Sequence, residues 1–106
     1  MIAAVPKEIL PLETRVSATP PTVKELTKAG ITVQVEKDAG LKSYISDSDY
    51  KEAGAQIIES AAALYLNADI ILKVQSPGIE EISQFKAGAV SISFLQTTRA
   101  TNLVIA

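Results

Sequence analysis

Short apolar runs and amphipathic segments alternate in the first third of the chain. Residues 2–5 form an apolar run that is typical of a buried strand. A helix is predicted to begin at Thr19 and Pro20, because threonine is a good N-cap and proline fits the first helical turn. Gly30 stands where a left-handed residue ends such a helix. Residues 31–36 then alternate apolar and polar side chains, which predicts a second strand.

The same alternation continues through the rest of the chain. The predicted elements are a helix at 46–53 with a capping-box start, a brief extended piece at 56–58, a helix at 60–67, a strand at 69–74, a helix at 76–87 and a strand at 89–95. Phe85 belongs to the buried stripe of the last helix, which Gly88 ends. The last strand carries apolar side chains on one face and Ser91 and Ser93 on the other.

Strands that alternate with short helices predict an α/β domain: a flavodoxin-like, Rossmann-like open parallel sheet with right-handed crossovers. We expect about four main strands in the order 2-1-3-4, with helices on both faces of the sheet. Residues 101–106 look like a helix that has barely begun, and so short a helix is marginal in water. We therefore expect one half-domain over residues 1–106, truncated inside an element at its C-terminus.

Composition excludes several classes of function. The chain has 106 residues, with 10 lysines and arginines against 12 aspartates and glutamates, and a net charge of −2. This balance argues against nucleic-acid binding, which needs a basic face. Because cysteine and histidine are both absent, thiol chemistry, imidazole ligands and histidine catalysis are excluded, and no calcium-loop motif indicates a metal site. No apolar run is long enough to cross a bilayer and no signal peptide is recognisable, so we expect a cytoplasmic protein without direct membrane insertion.

Three polar residues are predicted to meet at one end of the sheet. Ligands of open α/β sheets gather beyond the carboxyl ends of the strands, where the strand order reverses. Arg15 lies in the loop after the first strand, Lys73 near the end of the third, and Gln96 after the fourth. Arginine grips a carboxylate through two parallel hydrogen bonds, and lysine offers a point charge to an oxygen. We interpret these three as candidate ligand-binding residues and assign no catalytic residue.

Each candidate also has a plain structural interpretation. A loop arginine is commonly solvated surface, a lysine near the end of a buried strand often extends to water, and Gln96 fits a structural role. The glutamates at positions 8, 13, 80 and 81 fit a solvated face or, for the last two, a helix start. The five glycines never form G-x-G, so neither a dinucleotide fingerprint nor a P-loop is present.

Six stretches of the chain together resemble a known family. They read AVPKE, ETRVSATPPTV, AGITVQVEKDAG, YKEAGAQI, ADIILKVQSP and FKAGAVSISFL. In this order they resemble the N-terminal domain shared by proton-translocating NAD(P) transhydrogenase alpha subunits and alanine dehydrogenases. The resemblance covers almost the whole chain. LKVQSP looks more like the transhydrogenases, since the dehydrogenases commonly read LKVKEP.

The resemblance implies roles for the candidate residues. In alanine dehydrogenases the arginine and lysine that match Arg15 and Lys73 hold the carboxylate and the carbonyl oxygen of pyruvate. Those enzymes place a catalytic histidine at about the position of Gln96, and this departure speaks against alanine dehydrogenase activity. The family's NAD-binding Rossmann domain follows later in the chain and is absent here, so we expect NAD(H) to bind the full-length protein and not this chain alone.

The resemblance thus implies an N-terminal fragment of the NAD(H)-binding transhydrogenase component, inactive by itself. In the full complex this component exchanges hydride with an NADP(H)-binding component, coupled to proton movement through a membrane component. Its expected partners are those components, the remainder of its own subunit and a second copy in a homodimer, which places it at the periphery of the inner membrane. Two alternatives stay open: a non-catalytic partner module that completes a split subunit, and a binder of small carboxylates such as pyruvate.

Overall fold

The computed structural model describes residues 1–9, 13–75 and 79–93. Its strands are β1 (Ile2–Val5), β2 (Thr32–Glu36), β3 (Gln56–Ile58), β4 (Ile70–Lys73) and β5 (Val90–Ser93). Its helices are α1 (Pro20–Lys28), α2 (Asp47–Glu52), α3 (Ala61–Leu66) and α4 (Ile79–Ile82), with a 3-10 turn at Leu41–Ser43. The predictions that fall on residues 76–78 and 94–106, Gln96 among them, lie outside the described residues.

The five strands form one parallel sheet in the order β3-β2-β1-β4-β5. The predicted main strands are β1, β2, β4 and β5, and their predicted order is confirmed. The predicted strand count was one too low, because residues 56–58 form an edge strand that pairs with β2 from Gln34 to Glu36. These are the residues predicted as a brief extended piece, which is confirmed, although three residues are too few to be counted among the main strands from periodicity alone.

Helices α1, α2 and α3 begin and end within about a residue of where the sequence predicts. Thr19 is the N-cap residue of α1, although its side chain makes no capping hydrogen bond, and Gly30 follows the helix with a φ of +88°. Ser46 and Asp49 form a complete capping box at the start of α2, in which each side chain accepts a hydrogen bond of 3.1 Å from the other residue's N–H. The Ser60 hydroxyl caps α3.

Two apolar cores lie on opposite faces of the sheet, because successive side chains of a strand point to opposite sides. The core that joins α1 and α2 to the sheet contains Val5, Ala18, Val23, Val33, Val35, Ala39, Tyr50, Ala53 and Ala55. The core that joins α3 to the other face contains Ala4, Leu64, Tyr65, Ala68, Ile71 and Ala89. Helices on both faces are thus confirmed. In the part of the chain that the structure describes, no helix has the length and apolar character to span a bilayer.

The last helix ends earlier than its apolar spacing predicts. Helix α4 stops at Ile82, and Phe85 lies in the turn that follows. The Phe85 ring nevertheless reaches the core that contains Ala4, where it packs edge-on against Tyr65 with ring centroids 4.9 Å apart. A turn therefore makes the apolar contact that the sequence assigned to a helix.

Strand β5 alternates as predicted, with the serines on the inner face. Ser91 and Ser93 are 2% and 0% exposed, whereas Val90 and Ile92 are 49% and 39% exposed. Ser93 lies beside Lys73 in the register of β5 and β4, and its hydroxyl donates to the backbone carbonyl of residue 74 at 3.2 Å. Small hydroxylated side chains therefore fill the space beside a buried lysine.

Candidate functional site at the carboxyl end of the sheet

The strand order reverses between β1 and β4, as the predicted sheet requires. From β1 the sheet continues to β2 and β3 on one side and to β4 and β5 on the other. The loop after β1 and the residues after β4 therefore meet at the carboxyl ends of two neighbouring strands, the usual place for a ligand in this architecture. Both Arg15 and Lys73 belong to this edge.

Lys73 is buried and ion-paired. Its side chain is 1% exposed, and its Nζ lies 2.9 Å from Glu81 Oε2 and 3.6 Å from Glu8 Oε1. The interpretation that Lys73 extends to water is therefore wrong. An ammonium that has lost its hydration needs nearby anions, and here two carboxylates supply them.

Glu8 connects the loop after β1 to the end of β4. It is 5% exposed, and its carboxylate accepts hydrogen bonds from the backbone N–H of Val74 at 2.9 Å and of Gln75 at 3.2 Å. These bonds satisfy backbone donors beyond the last paired residue of β4, while the charge faces Lys73. The interpretation of Glu8 as part of a solvated face is wrong.

Glu81 connects Lys73 to helix α3. Glu81 is 8% exposed, so it too is not part of a solvated face. Its Oε2 accepts hydrogen bonds of 2.9 Å from both Lys73 Nζ and the Tyr65 hydroxyl. Burial raises the pKa of Tyr65, and the negative charge of Glu81 raises it further, so the hydroxyl keeps its proton and acts as a donor.

Arg15 lies at the outer end of this edge, above Glu13. The Arg15 side chain is 59% exposed and the Glu13 side chain only 3%. Arg15 Nε and Nη2 donate to the two Glu13 oxygens at 2.9 Å each, and the Arg15 backbone N–H donates to Glu13 at 2.9 Å. Gln75 Nε2 adds a bond of 2.6 Å. The Arg15 side chain and Gln75 together lower the pKa of Glu13 to about 2, so the carboxylate is ionised at neutral pH.

One continuous network joins the two candidate cations. From the surface inward it runs through Arg15, Glu13, Gln75, Glu8, Lys73, Glu81 and Tyr65. Three carboxylates face two cations, which leaves one excess negative charge. The described residues contain no group of three acidic side chains placed to hold a metal ion. The hydrogen bonds and ion pairs of this network hold its charged side chains in fixed positions relative to one another.

A shallow crevice opens beside Arg15. The charged residues that line it are Lys7, Glu8, Glu13, Arg15, Asp38 and Lys42. Lys73 does not line the crevice, because Glu8 lies between it and the opening. The structure thus brings Arg15 and Lys73 into one network without placing both at one surface, and their role in binding a ligand stays a prediction. Gln96 lies outside the described residues.

Sequence reasoning missed four residues of this network: Glu13, Gln75 and Glu8, which connect Arg15 to Lys73, and Glu81, which connects Lys73 to Tyr65. Three of them lie inside the quoted stretches AVPKE, ETRV and LKVQSP, next to residues that drew attention. A glutamate two residues before an arginine can indicate a local ion pair, because both the arginine side chain and its backbone N–H can donate to the carboxylate. The bonds from Glu8 to Val74 and from Gln75 to Glu13 join residues 66 and 62 positions apart, and local patterns carry no trace of them.

Comparison with known sequences assigns the chain to a family. The family model described as "Alanine dehydrogenase/PNT, N-terminal domain" matches residues 4–106. The NAD(P) transhydrogenase subunit alpha of Haemophilus influenzae is 47% identical over 95 residues, which cover 90% of this chain and 18% of that protein. The alanine dehydrogenase of Staphylococcus saprophyticus is 44% identical over 103 residues, which cover 97% of this chain and 28% of that protein.

Solved structures agree with this assignment. A transhydrogenase from Sinorhizobium meliloti has a TM-score of 0.85 at 40% identity, covering 94% of this chain and 29% of that one. An L-alanine dehydrogenase has a TM-score of 0.82 at 34% identity, covering 88% and 26%. The fold defines an N-terminal α/β domain of the kind that these relatives contain. The chain belongs to the alanine dehydrogenase/PNT N-terminal domain family, and it spans between 18% and 28% of the two curated relatives quoted.

Proposed function

We propose that this chain is the N-terminal part of the NAD(H)-binding component of a proton-translocating NAD(P) transhydrogenase. The observation that carries the proposal is the 47% identity to a transhydrogenase alpha subunit over 90% of the chain. The fold agreement with a solved transhydrogenase, at a TM-score of 0.85, supports it further. In this proposal the chain contributes the scaffold at one side of a cleft, while hydride passes between NAD(H) and NADP(H) elsewhere in the complex.

We propose that the dinucleotide binds outside this chain. Pyrophosphate binding of the Rossmann type needs closely spaced glycines at the start of a helix, and the five glycines never form G-x-G. Two of the described ones, Gly30 and Gly54, follow helices with positive φ and serve as their ends. We therefore assign NAD(H) to the remainder of the subunit. That remainder, a second copy of it, and the NADP(H)-binding and membrane components are the proposed partners, at the cytoplasmic periphery of the inner membrane.

A second candidate function, binding of a small carboxylate such as pyruvate, is favoured by Arg15. Glu13 occupies the Nε and Nη2 atoms, and the described residues place no hydrogen-bond acceptor on Nη1. A ligand carboxylate could approach that exposed side of the guanidinium. For Lys73 to reach the same ligand, Glu8 has to move away from its Nζ.

A third candidate, a non-catalytic module that completes a split subunit, is favoured by the exposed apolar side chains of β5. Val90 and Ile92 are 49% and 39% exposed on an edge strand. Such side chains gain burial when another part of a subunit covers that face of the strand.

Co-expression with the rest of a transhydrogenase tests these candidates together. The chain is co-expressed with the part of the Haemophilus influenzae alpha subunit that follows its matched segment, and with that enzyme's other components. The proposed function predicts hydride transfer between NAD(H) and NADP(H), with no alanine-dependent reduction of NAD⁺. Alanine-dependent reduction would overturn the transhydrogenase assignment in favour of the second candidate. A stable complex without either activity would favour the third.

Two variants make the carboxylate candidate quantitative. Arg15→Ala removes a charge-assisted bidentate contact, so pyruvate binding to the chain should weaken by about tenfold or more, the equivalent of roughly 1.5–3 kcal/mol. Lys24→Ala is the matched control, because Lys24 is an exposed cation on α1 and does not line the crevice. Equal affinities of the two variants for pyruvate would exclude Arg15 as a carboxylate ligand.

A further inference from the structure

The guanidinium of Arg15 has two edges that can receive a carboxylate. The inner edge consists of Nε and Nη2, and the outer edge consists of Nη1 and Nη2. Glu13 occupies the inner edge with two bonds of 2.9 Å. Among the described residues no hydrogen-bond acceptor contacts Nη1, and the Arg15 side chain is 59% exposed. The internal carboxylate thus leaves the outer edge open.

Glu13 is itself held in place by a residue that follows strand β4 of the sheet. Its side chain is 3% exposed, and Gln75 Nε2, from the residues that follow β4, donates to it at 2.6 Å. The backbone N–H of Gln75 is in turn fixed by Glu8 at 3.2 Å. Although Arg15 lies in a loop, its inner edge is therefore anchored to the end of a central strand.

We propose that Glu13 and Gln75 are positioning residues, which hold Arg15 by its inner edge so that the Nη1–Nη2 edge meets a ligand carboxylate. The proposal rests on the second candidate function. A long side chain that is already ordered loses less freedom on binding. Releasing Arg15 from this anchor should weaken carboxylate binding by about 2- to 10-fold, even though Arg15 itself is unchanged.

In the alternative role, Glu13 competes with the ligand carboxylate for the Arg15 guanidinium. A ligand carboxylate would then displace Glu13 from the Nε–Nη2 edge, and removing the charge of Glu13 would strengthen binding. The two roles predict affinity changes of opposite sign. They also differ in the fate of the Arg15 Nε–H bond, which survives binding in the first role and breaks in the second.

The arginine Nε–H signals of the ¹⁵N-labelled chain report on this bond directly. The chain has two arginines, Arg15 and Arg99, so an Arg99→Lys variant assigns both signals. Without ligand, the Arg15 signal should be shifted by its hydrogen bond and slow to exchange with water in the native chain. It should become mobile in Glu13→Gln and partly so in Gln75→Ala. The control Gln56→Ala, which removes a glutamine–glutamine bond between β2 and β3, should leave it unchanged.

Titration with pyruvate, and with the neutral pyruvamide as a control, then tests the function of the anchor. We expect the Arg15 Nε–H signal to persist in the pyruvate complex and Gln75→Ala to bind pyruvate about 2- to 10-fold more weakly. Loss of that signal on binding, or tighter binding by Glu13→Gln, would show a competitor and overturn the proposal. Gln75→Ala carries no charge change, so it also decides the matter if Glu13→Gln does not fold.

A failure of the second candidate function, pyruvate binding, can be distinguished from a failure of the positioning role. If pyruvate does not bind the native chain at all, the second candidate function is refuted. The ligand-free spectra still test the anchor in that case. An Arg15 signal that is identical in the native chain, Glu13→Gln and Gln75→Ala would overturn the positioning role by itself.

Discussion

Replacing Lys73 with methionine should remove a large part of the free energy of unfolding of this domain. Methionine has nearly the length of lysine and fits the same space, but it leaves two buried carboxylates without their shared cation. Glu81 Oε2 lies 2.9 Å from the Lys73 Nζ and Glu8 Oε1 lies 3.6 Å from it. All three side chains are at most 10% exposed, so water cannot fully replace the lost charge.

The structure sets the size of the effect. Breaking a buried ion pair by removing one partner costs about 3–5 kcal/mol, because the remaining charge stays buried and uncompensated. Here Glu8 keeps its two backbone hydrogen bonds and Glu81 keeps the Tyr65 hydroxyl, which limits the loss to that range. Domains of this kind have a free energy of unfolding of about 5–15 kcal/mol, so the variant loses at least about a fifth of it, and close to all of it at the lower end of that range.

Urea denaturation followed by circular dichroism measures the change in the free energy of unfolding. The matched control is Lys37→Met, because Lys37 pairs with Glu59 at 3.8 Å with both side chains more than half exposed. An exposed pair contributes about 0–1 kcal/mol. The double variant Lys73→Met with Glu81→Gln should recover part of the lost stability, because it also removes the negative charge of Glu81. It keeps the test informative if Lys73→Met does not fold.

A Lys73→Met variant that loses no more stability than Lys37→Met would refute this reasoning. It would show that Lys73 is hydrated in solution and that its two carboxylates do not depend on it.

Two further predictions concern other polar contacts. Because the pKa of Glu13 in the folded chain, about 2, lies below its ordinary value of 4.5, its contribution to stability is complete above about pH 5 and is lost as the pH falls toward 2. Urea midpoints measured across this range should fall less steeply in Glu13→Gln than in the native chain, and parallel slopes would contradict the pairing with Arg15. Tyr50→Phe leaves the carbonyl of Ala18, now bonded at 2.7 Å, without its buried donor and should cost about 1–3 kcal/mol. Tyr44→Phe is the control, since Tyr44 is 98% exposed, and equal midpoints for the two variants would count against the bond.

Local chemistry determined most of the fold. The apolar runs of β1 and β4, the apolar–polar alternation of β2 and β5, the helix cap at Ser46 and the glycine after α1 are all properties of a few neighbouring residues. Right-handed crossovers between parallel strands then leave few possible strand orders. The resemblance to the family, carried by short stretches of sequence, pointed in the same direction.

Only the tertiary structure decided which charged residues are buried. Glu8, Glu13 and Glu81 are charged, and although the spacing of Glu13 and Arg15 indicates a local ion pair, the neighbouring sequence does not indicate that the three carboxylates are buried. Their burial depends on partners such as Lys73 and Gln75, up to 67 positions away along the chain, which the sheet brings together at its carboxyl edge. A carboxylate is buried at low cost only where an opposite charge or a hydrogen-bond donor contacts it. Those contacts form only after the strands have paired, so the sequence around each carboxylate does not reveal them.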